Sequence, residues 1–480
     1  MKHSVIAFFF LTFLFVACTP QLPKTNSTGG IPDIFPDYKH VTIPVNIAPL
    51  NFRLNSKALA MAELSVGDFA IRIKSKHGSF SFPLKAWRQL LHKAAGDSVK
   101  VSLFERKEEG WHGYAPFFLY VRKEPVDAYL VYRRINPGYR MWSEMGIYQR
   151  NVENFTEKTI LNNQFTHNNC MNCHSFCMQS PEQMVFHQRS THAGTYLVTK
   201  GEVNKLQVNN GSEFSSLVYP YWHPSGRFIA FSNNNTKQDF HLSSPNRVEV
   251  FDMESDIVIY DMEKEELFTC PLLNSTDNLE TFPTFSPDGR HLYFCSAPAK
   301  QMPQLFQELK YHLIRISFDP ATRIFGQTPD TLYHADTDGR SAKFPRISPD
   351  GKYLMYTISA YGNFSIWHKD ADLRLHNLLT NEISLLPDVN SRDVESYHSW
   401  SSNSRWFVFS SRREDGLYTH PYICYIDENG KTGKPFLLPQ QKTDYYDNSL
   451  FSFNIPEFVN GKVDVSSYKL IQFTLSHINL

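Results

Sequence analysis

Apolar and polar positions alternate with a period of two over Phe69-Ala70-Ile71-Arg72-Ile73, Val99-Lys100-Val101-Ser102-Leu103 and Phe117-Phe118-Leu119-Tyr120-Val121. Turn residues such as Gly96-Asp97 and Glu109-Gly110 separate these runs. A period of two places alternate side chains on one face of a strand, so residues 37–134 are expected to form a small β-sandwich-like domain. Lys85 to Ala95 has a different spacing, with Ala86, Leu90, Leu91 and Ala94 on one helical face and Gly96 as the stop. Residues 135–164 pass through Pro137-Gly138 and then carry Met141, Met145 and Ile147, which predicts a connector with one or two short helices. Long stretches with a 3.6-residue period are scarce elsewhere, so the chain as a whole reads as all-β.

From residue 212 onward the pattern repeats. The units are Tyr221-Trp222-His223-Pro224-Ser225-Gly226-Arg227, Thr284-Phe285-Ser286-Pro287-Asp288-Gly289-Arg290, Arg346-Ile347-Ser348-Pro349-Asp350-Gly351-Lys352 and the degenerate Ser399-Trp400-Ser401-Ser402-Asn403-Ser404-Arg405. Each is followed by an apolar strand: Phe228-Ile229-Ala230-Phe231, His291-Leu292-Tyr293-Phe294, Tyr353-Leu354-Met355-Tyr356 and Trp406-Phe407-Val408-Phe409. Proline fixes φ and glycine permits φ > 0, so each unit is a tight turn joining two strands, and two more strands complete a blade. No blade buries both faces alone, which favours radial stacking of units of about 50 to 60 residues.

These repeats resemble the WD-type propeller repeat of the TolB-like family, with an aromatic, Ser, Pro, Asp, Gly and Arg or Lys ahead of an apolar strand. The resemblance covers roughly residues 212 to 439. It implies a β-propeller in the bacterial periplasm, used mainly for protein contacts, and implies no catalytic residue. Ser180-Pro181-Glu182-Gln183 precedes Met184-Val185-Phe186 in a similar way, which extends the propeller over residues 165–480 and puts another motif, considered below, in its first blade. Adding strands from Tyr445 to Phe458 and Lys462 to Phe473, six blades are favoured, with five or seven open.

Composition narrows the partners. Lysine plus arginine and aspartate plus glutamate stand at 48 each, so the chain lacks the basic footprint of a nucleic-acid binder. Residues 1–17 have the form of a signal peptide, with Lys2 and His3 ahead of the apolar run Val5 to Ala17, too short to span a bilayer as an anchor. The run ends in Phe15-Val16-Ala17-Cys18, which resembles a bacterial lipobox with Cys18 as the lipidated residue. Residues 18–36, with Pro20, Pro23, Gly29, Gly30, Pro32 and Pro36, then read as a tether. The expected location is the bacterial cell envelope, lipid-anchored, periplasmic or outer-membrane, with membrane, envelope proteins or a redox partner as contacts.

Export gives weight to Cys170-Met171-Asn172-Cys173-His174. Cys-x-x-Cys-His is the attachment signature of haem c: two thiols three positions apart add to the vinyl groups of one porphyrin, and the adjoining imidazole supplies the proximal iron ligand. Cys170, Cys173 and His174 are therefore the candidate haem site, His174 being proximal. Among His187, His192, His167, Met178 and Met184 as distal ligands, His187 ranks first because paired strands lie about 5 Å apart. A zinc site using Cys170, Cys173, His174 and Cys177, or a disulfide among the three thiols, uses the same residues.

Three function classes remain. One is a haem-carrying lipoprotein for electron transfer or redox sensing. The second is an envelope scaffold in which the cysteines staple a loop or hold zinc. The third, an enzyme, has little support: no Gly-x-Ser-x-Gly elbow is present, and the acidic pairs Asp277/Glu280 and Asp393/Glu395 could form a glycosidase-type constellation at a channel mouth, but turn acids are commoner than catalytic ones.

Overall fold

A computed structural model of the 480-residue chain describes residues 21–25, 29–136, 144–207, 214 and 216–477. The signal peptide and Cys18 lie outside the described residues, as do Tyr139, Met141 and Trp142 of the expected connector. The N-terminal domain has a main sheet with strand order Thr42–Pro44, Phe117–Arg122, Ser98–Lys107, Ala60–Val66, Phe69–Ser75, and a three-stranded sheet of Ile34–Phe35, Phe52–Leu54 and Ser79–Phe80. The expected tether thus ends earlier than residue 36, because Ile34–Phe35 pairs into that second sheet. The helix is Leu84–Lys93, held by buried Trp87, Leu90 and Leu91.

Six sheets with at least four strands each form the propeller. In chain order, the innermost strands of blades two to six are Met171–Phe176, Leu217–Trp222, Asn278–Phe285, Ser341–Ile347 and Glu395–Trp400. Blade one is built from both ends of the chain. Its outer strands Glu157–Asn162, Met145–Asn151 and Tyr129–Ile135 come from the supposed connector, and its innermost strand is Ser452–Val459, paired antiparallel with Tyr129–Ile135. The expectation of short helices over residues 135–164 is therefore corrected. Met145 to Arg150 are all buried, so this strand shows no alternation by which a sequence could reveal it.

Two further corrections follow. The propeller begins at Tyr129 rather than residue 165, and the Cys-x-x-Cys-His blade is the second. The C-terminal stretch from Lys462 to Phe473, expected as strand, ends in the helix Ser467–Ser476, capped by the Ser466 side chain. Leu470 and Thr474 bury one side of it, while Ser467 donates to the Thr159 carbonyl at 2.6 Å and Lys469 to the Gly201 carbonyl at 2.8 Å. It bridges the outer edges of blades one and two.

The N-terminal domain shares its core with blades five and six, where Tyr38, Trp87 and Phe117 belong to one buried cluster with Tyr353, Trp406 and Phe436. Buried polar contacts fix the junction: Tyr38 donates to the Leu437 carbonyl, Asn51 to the Gln440 carbonyl and the Trp406 indole to the Glu124 carbonyl.

Candidate functional site: the axial channel

Each innermost strand carries one left-handed residue at a β-bulge: Cys173 (φ 32°), Tyr219 (49°), Phe282 (55°), Phe344 (49°), Tyr397 (51°) and Ile455 (53°). Register shifts between Asn172 and Ser175, Val218 and Tyr221, Thr281 and Thr284, Lys343 and Arg346, and Ser396 and Ser399 mark the same bulge in blades two to six. A bulge inserts one extra residue and re-aims its side chain. Repeated around the axis, it makes a waist. Phe282 lies 4.5 Å from Tyr219 and 4.0 Å from Phe344 between ring centres, and Phe344 lies 4.9 Å from Tyr397.

The residue after the waist position is Pro220, Pro283, Pro345 or Pro456 in four blades, and His174 or His398 in the other two. Proline is tolerated in a sheet where a bulge leaves no ladder hydrogen bond to donate. Cys173-His174 thus occupies the slot that reads Tyr-Pro, Phe-Pro, Phe-Pro, Tyr-His and Ile-Pro elsewhere. By this alignment Cys177, not Ser180, corresponds to Ser286 and Ser348, and the following turn is longer, with Met178 and Gln179 both left-handed.

Two cavities lie along the axis on either side of the waist. A wide chamber of about 370 Å³ is lined by Cys170, Cys173, Arg133, Arg189 and Arg412, with aromatic walls that include Tyr219, Trp367 and Tyr397. Among the described residues that line it, none is an aspartate or glutamate. A narrow chamber of about 60 Å³ lies on the turn side, lined by Cys173, His174, Arg346, His398 and Glu457. Cys173 touches both.

The structure brings Cys170 and Cys173 to one chamber and sends His174 to the other. Burial raises both thiols, an effect the Arg133 and Arg189 charges partly offset. Among the described residues, Cys170, Cys173 and Cys177 form no disulfide. Cys177 packs in a separate cluster with Val185, Trp222 and Ile229, its sulfur 3.7 Å from the His223 carbonyl oxygen. Among the described residues, no three His, Cys, Asp or Glu side chains converge as a metal site.

His174 is 3 % exposed, and neither ring nitrogen has a hydrogen-bond partner. Backbone groups of Val131 and Ile455 face the ring and raise its pKa, by less than burial lowers it. Burial and the Arg133 charge push its pKa down to about 3, so the imidazole is neutral over the physiological range. Opposite it, burial pushes the Glu457 carboxyl up to about 8, although one oxygen accepts the Phe176 amide at 3.0 Å. The Nε2–H of His398 donates to the Met355 carbonyl at 2.9 Å.

The remaining expected ligands lie elsewhere. His187 pairs across the ladder with Asn172, and its Nδ1 is 3.0 Å from the Thr195 hydroxyl. It lines neither chamber, because second strands stand one strand spacing back from the axis. His192 stacks on His167, with Nδ1 of His167 and Nε2 of His192 3.0 Å apart. Met184 is core, Met178 is exposed, and His223 packs between blades with Nε2 3.0 Å from the Gly289 carbonyl. Glu280 and Glu395 are buried and hydrogen-bonded to Ser296 and to Ser391 and Ser411, away from both chambers.

The sequence reading missed the chamber arginines and the waist. The signal for the waist was present in the recurring Tyr219-Pro220, Phe282-Pro283, Phe344-Pro345 and Ile455-Pro456 pairs. The arginines sit at unrelated places in the chain and had no such signal.

No family model matches the chain, and no curated protein does. Among solved structures it is similar to an oligogalacturonate lyase from Vibrio parahaemolyticus (11% identity, TM-score 0.33, 60% of this chain and 85% of that one). It is also similar to the tricorn protease (10%, 0.32, 84% and 36%) and to a GH43 endo-arabinanase from Bacillus licheniformis (11%, 0.30, 52% and 93%). At these values the likenesses carry no functional argument. The β-propeller rests on the six sheets and their closure.

Proposed function

We propose that this chain is an exported, lipid-anchored propeller of TolB-like character that carries one haem c on Cys170 and Cys173, for electron transfer or redox sensing in the bacterial envelope. The observation that carries the reading is that both thiols of the motif line one aromatic, arginine-bearing chamber. The two thiols suit the porphyrin edge, whereas His174 faces the other chamber. Cys170 and Cys173 would hold it by thioether bonds, and the aromatic walls would cover its faces. Haem, when bound, supplies one-electron redox chemistry.

His174 is the imidazole available to the iron: neutral, buried and without a hydrogen-bond partner. In the strand conformation it lies across the waist from the chamber, so ligation requires the Cys173-His174 bulge to turn. The reading is tested by expressing the chain in a host that matures c-type cytochromes. After denaturation and acid-acetone extraction it should retain a Soret chromophore and the added haem mass, and Cys170→Ala with Cys173→Ala should lose both. A denatured chain without haem mass would overturn it.

The second reading, an envelope scaffold, is favoured by one observation: Cys173-His174 fills an ordinary slot of the repeat. Under it the same denatured sample shows unmodified thiols, and binding partners outlast replacement of both cysteines. The anchor is tested separately, since Cys18→Ser should move the protein from the detergent phase to the aqueous one.

A further inference from the structure

Arginines on the outer parts of the blades have acidic partners. Arg227 meets Asp261 at 2.7 Å, Arg374 meets Asp338 at 2.9 Å and Arg413 meets Glu395 at 3.0 Å. Arg412 and Arg189, at the wide chamber, do not follow this pattern. Arg412 is 4 % exposed, its guanidinium lies 3.3 Å over the Trp367 ring, and its Nε has no hydrogen-bond partner. Asp393 and Asp415 act on it only through space, and burial pushes it down to about 9, which still leaves it cationic at neutral pH. Arg189 makes no ion pair among the described residues, its backbone amide bonding the Cys170 carbonyl at 2.9 Å. Arg133 is held at the same rim, where its Nη1 donates to the Met171 carbonyl at 3.0 Å.

Burying a cation that no carboxylate hydrogen-bonds is unfavourable, so Arg412, with no acid among the described lining residues, leaves the chamber electrostatically incomplete. Guanidinium groups match carboxylates bidentately, and the aromatic walls match a flat apolar body. We propose that Arg412, Arg189 and Arg133 form a carboxylate-binding rim that orients a flat apolar ligand bearing two carboxylates within the wide chamber. The inference rests on the chamber chosen for haem above. It does not rest on covalent attachment, because the rim acts on the carboxylates of the ligand and the thiols are not needed for that contact.

The test separates the two claims. The Cys170→Ala, Cys173→Ala chain is titrated with metal-free protoporphyrin IX and, in parallel, with its dimethyl ester, following quenching of tryptophan fluorescence, to which Trp367 at the chamber wall contributes. The free acid should bind, and the ester should bind at least tenfold more weakly. Arg412→Gln and Arg189→Gln should each weaken the acid tenfold or more, bringing it to the level of the ester. Arg413→Gln, which alters an arginine outside the chamber, should leave the affinity unchanged. Arg412→Gln should also not lower the unfolding midpoint, since it removes an uncompensated buried charge. Equal binding of acid and ester, parental affinity in the Arg412 and Arg189 variants, or no binding of the acid would overturn the proposal. Binding of the free acid by a chain that never acquires covalent haem would leave the rim standing and remove the haem c reading.

Discussion

Blade two and blade four share a backbone at the axis and differ in what they put there. In blade four the bulge presents Phe282, buried between Tyr219 and Phe344. In blade two the same bulge presents the smaller Cys173, which borders both chambers. The difference teaches that the waist is a structural device of the repeat, and that a small side chain in one slot leaves a chamber where four large ones close the channel. A residue in a repeat slot is therefore not without function: the slot explains the backbone, and the departure in volume and chemistry is what needs a reason.

The comparison is broken most directly by removing an aromatic from the closed side. Phe344→Ala should destabilise the chain by about 3–5 kcal/mol, because it deletes a buried ring from the close-packed set. Cys173→Ala should cost about 1 kcal/mol or less, since one sulfur beside an existing cavity leaves little new void. Urea unfolding of the two variants measures the contrast, and equal losses would show that the waist is not a packed ring.

Acid sharpens the comparison next. Burial holds His174, His187 and His398 down to about 3 and His420 to about 4, from an ordinary value of 6.5. Below 6.5 the unfolded chain takes up protons that the folded chain refuses, so stability falls as pH falls from 6.5 toward 3. Each imidazole should account for about 2 kcal/mol between pH 6.5 and 5. His398→Gln should flatten the profile measured by chemical unfolding at those two pH values, and an unchanged slope would contradict the burial argument.

Glu457 acts in the opposite direction. Its folded value near 8 lies above the unfolded one, so its contribution is intact below about 4.5 and is lost as pH rises toward 8. Glu457→Gln keeps an oxygen for the Phe176 amide and removes the titration. The variant should match the parent at pH 4.5 and exceed it at pH 8.5, and a gain independent of pH would exclude this cause. The smallest effect is expected from Cys177→Ala, which should leave ligand retention unaltered because Cys177 packs against blade three, apart from the wide chamber.

Blades three to six were legible because a recurring turn writes its geometry into residue type, most plainly as Pro-Asp-Gly in blades four and five, where Gly289 and Gly351 both have φ near 70°. Blade one was not, because Ser452–Val459 finds its partner Tyr129–Ile135 across almost the whole propeller and Met145–Asn151 is buried on both faces. Cys170, Cys173 and His174 were legible as a motif, since their chemistry lies in side chains alone. Their division between two chambers was not, because a left-handed Cys173 carries no sequence mark of the kind a glycine would leave.

The central claim is that the chamber beside Cys173 is the ligand site, and filling the slot tests it most directly. Cys173→Phe places in blade two the residue that Phe282 and Phe344 already carry at the same left-handed bulge, so the backbone should accept it. With Cys170 retained, binding of metal-free protoporphyrin IX is measured alongside the unfolding midpoint. The account predicts a folded chain of undiminished stability whose porphyrin affinity falls at least tenfold. A folded variant that binds the porphyrin as tightly as the parent would contradict it.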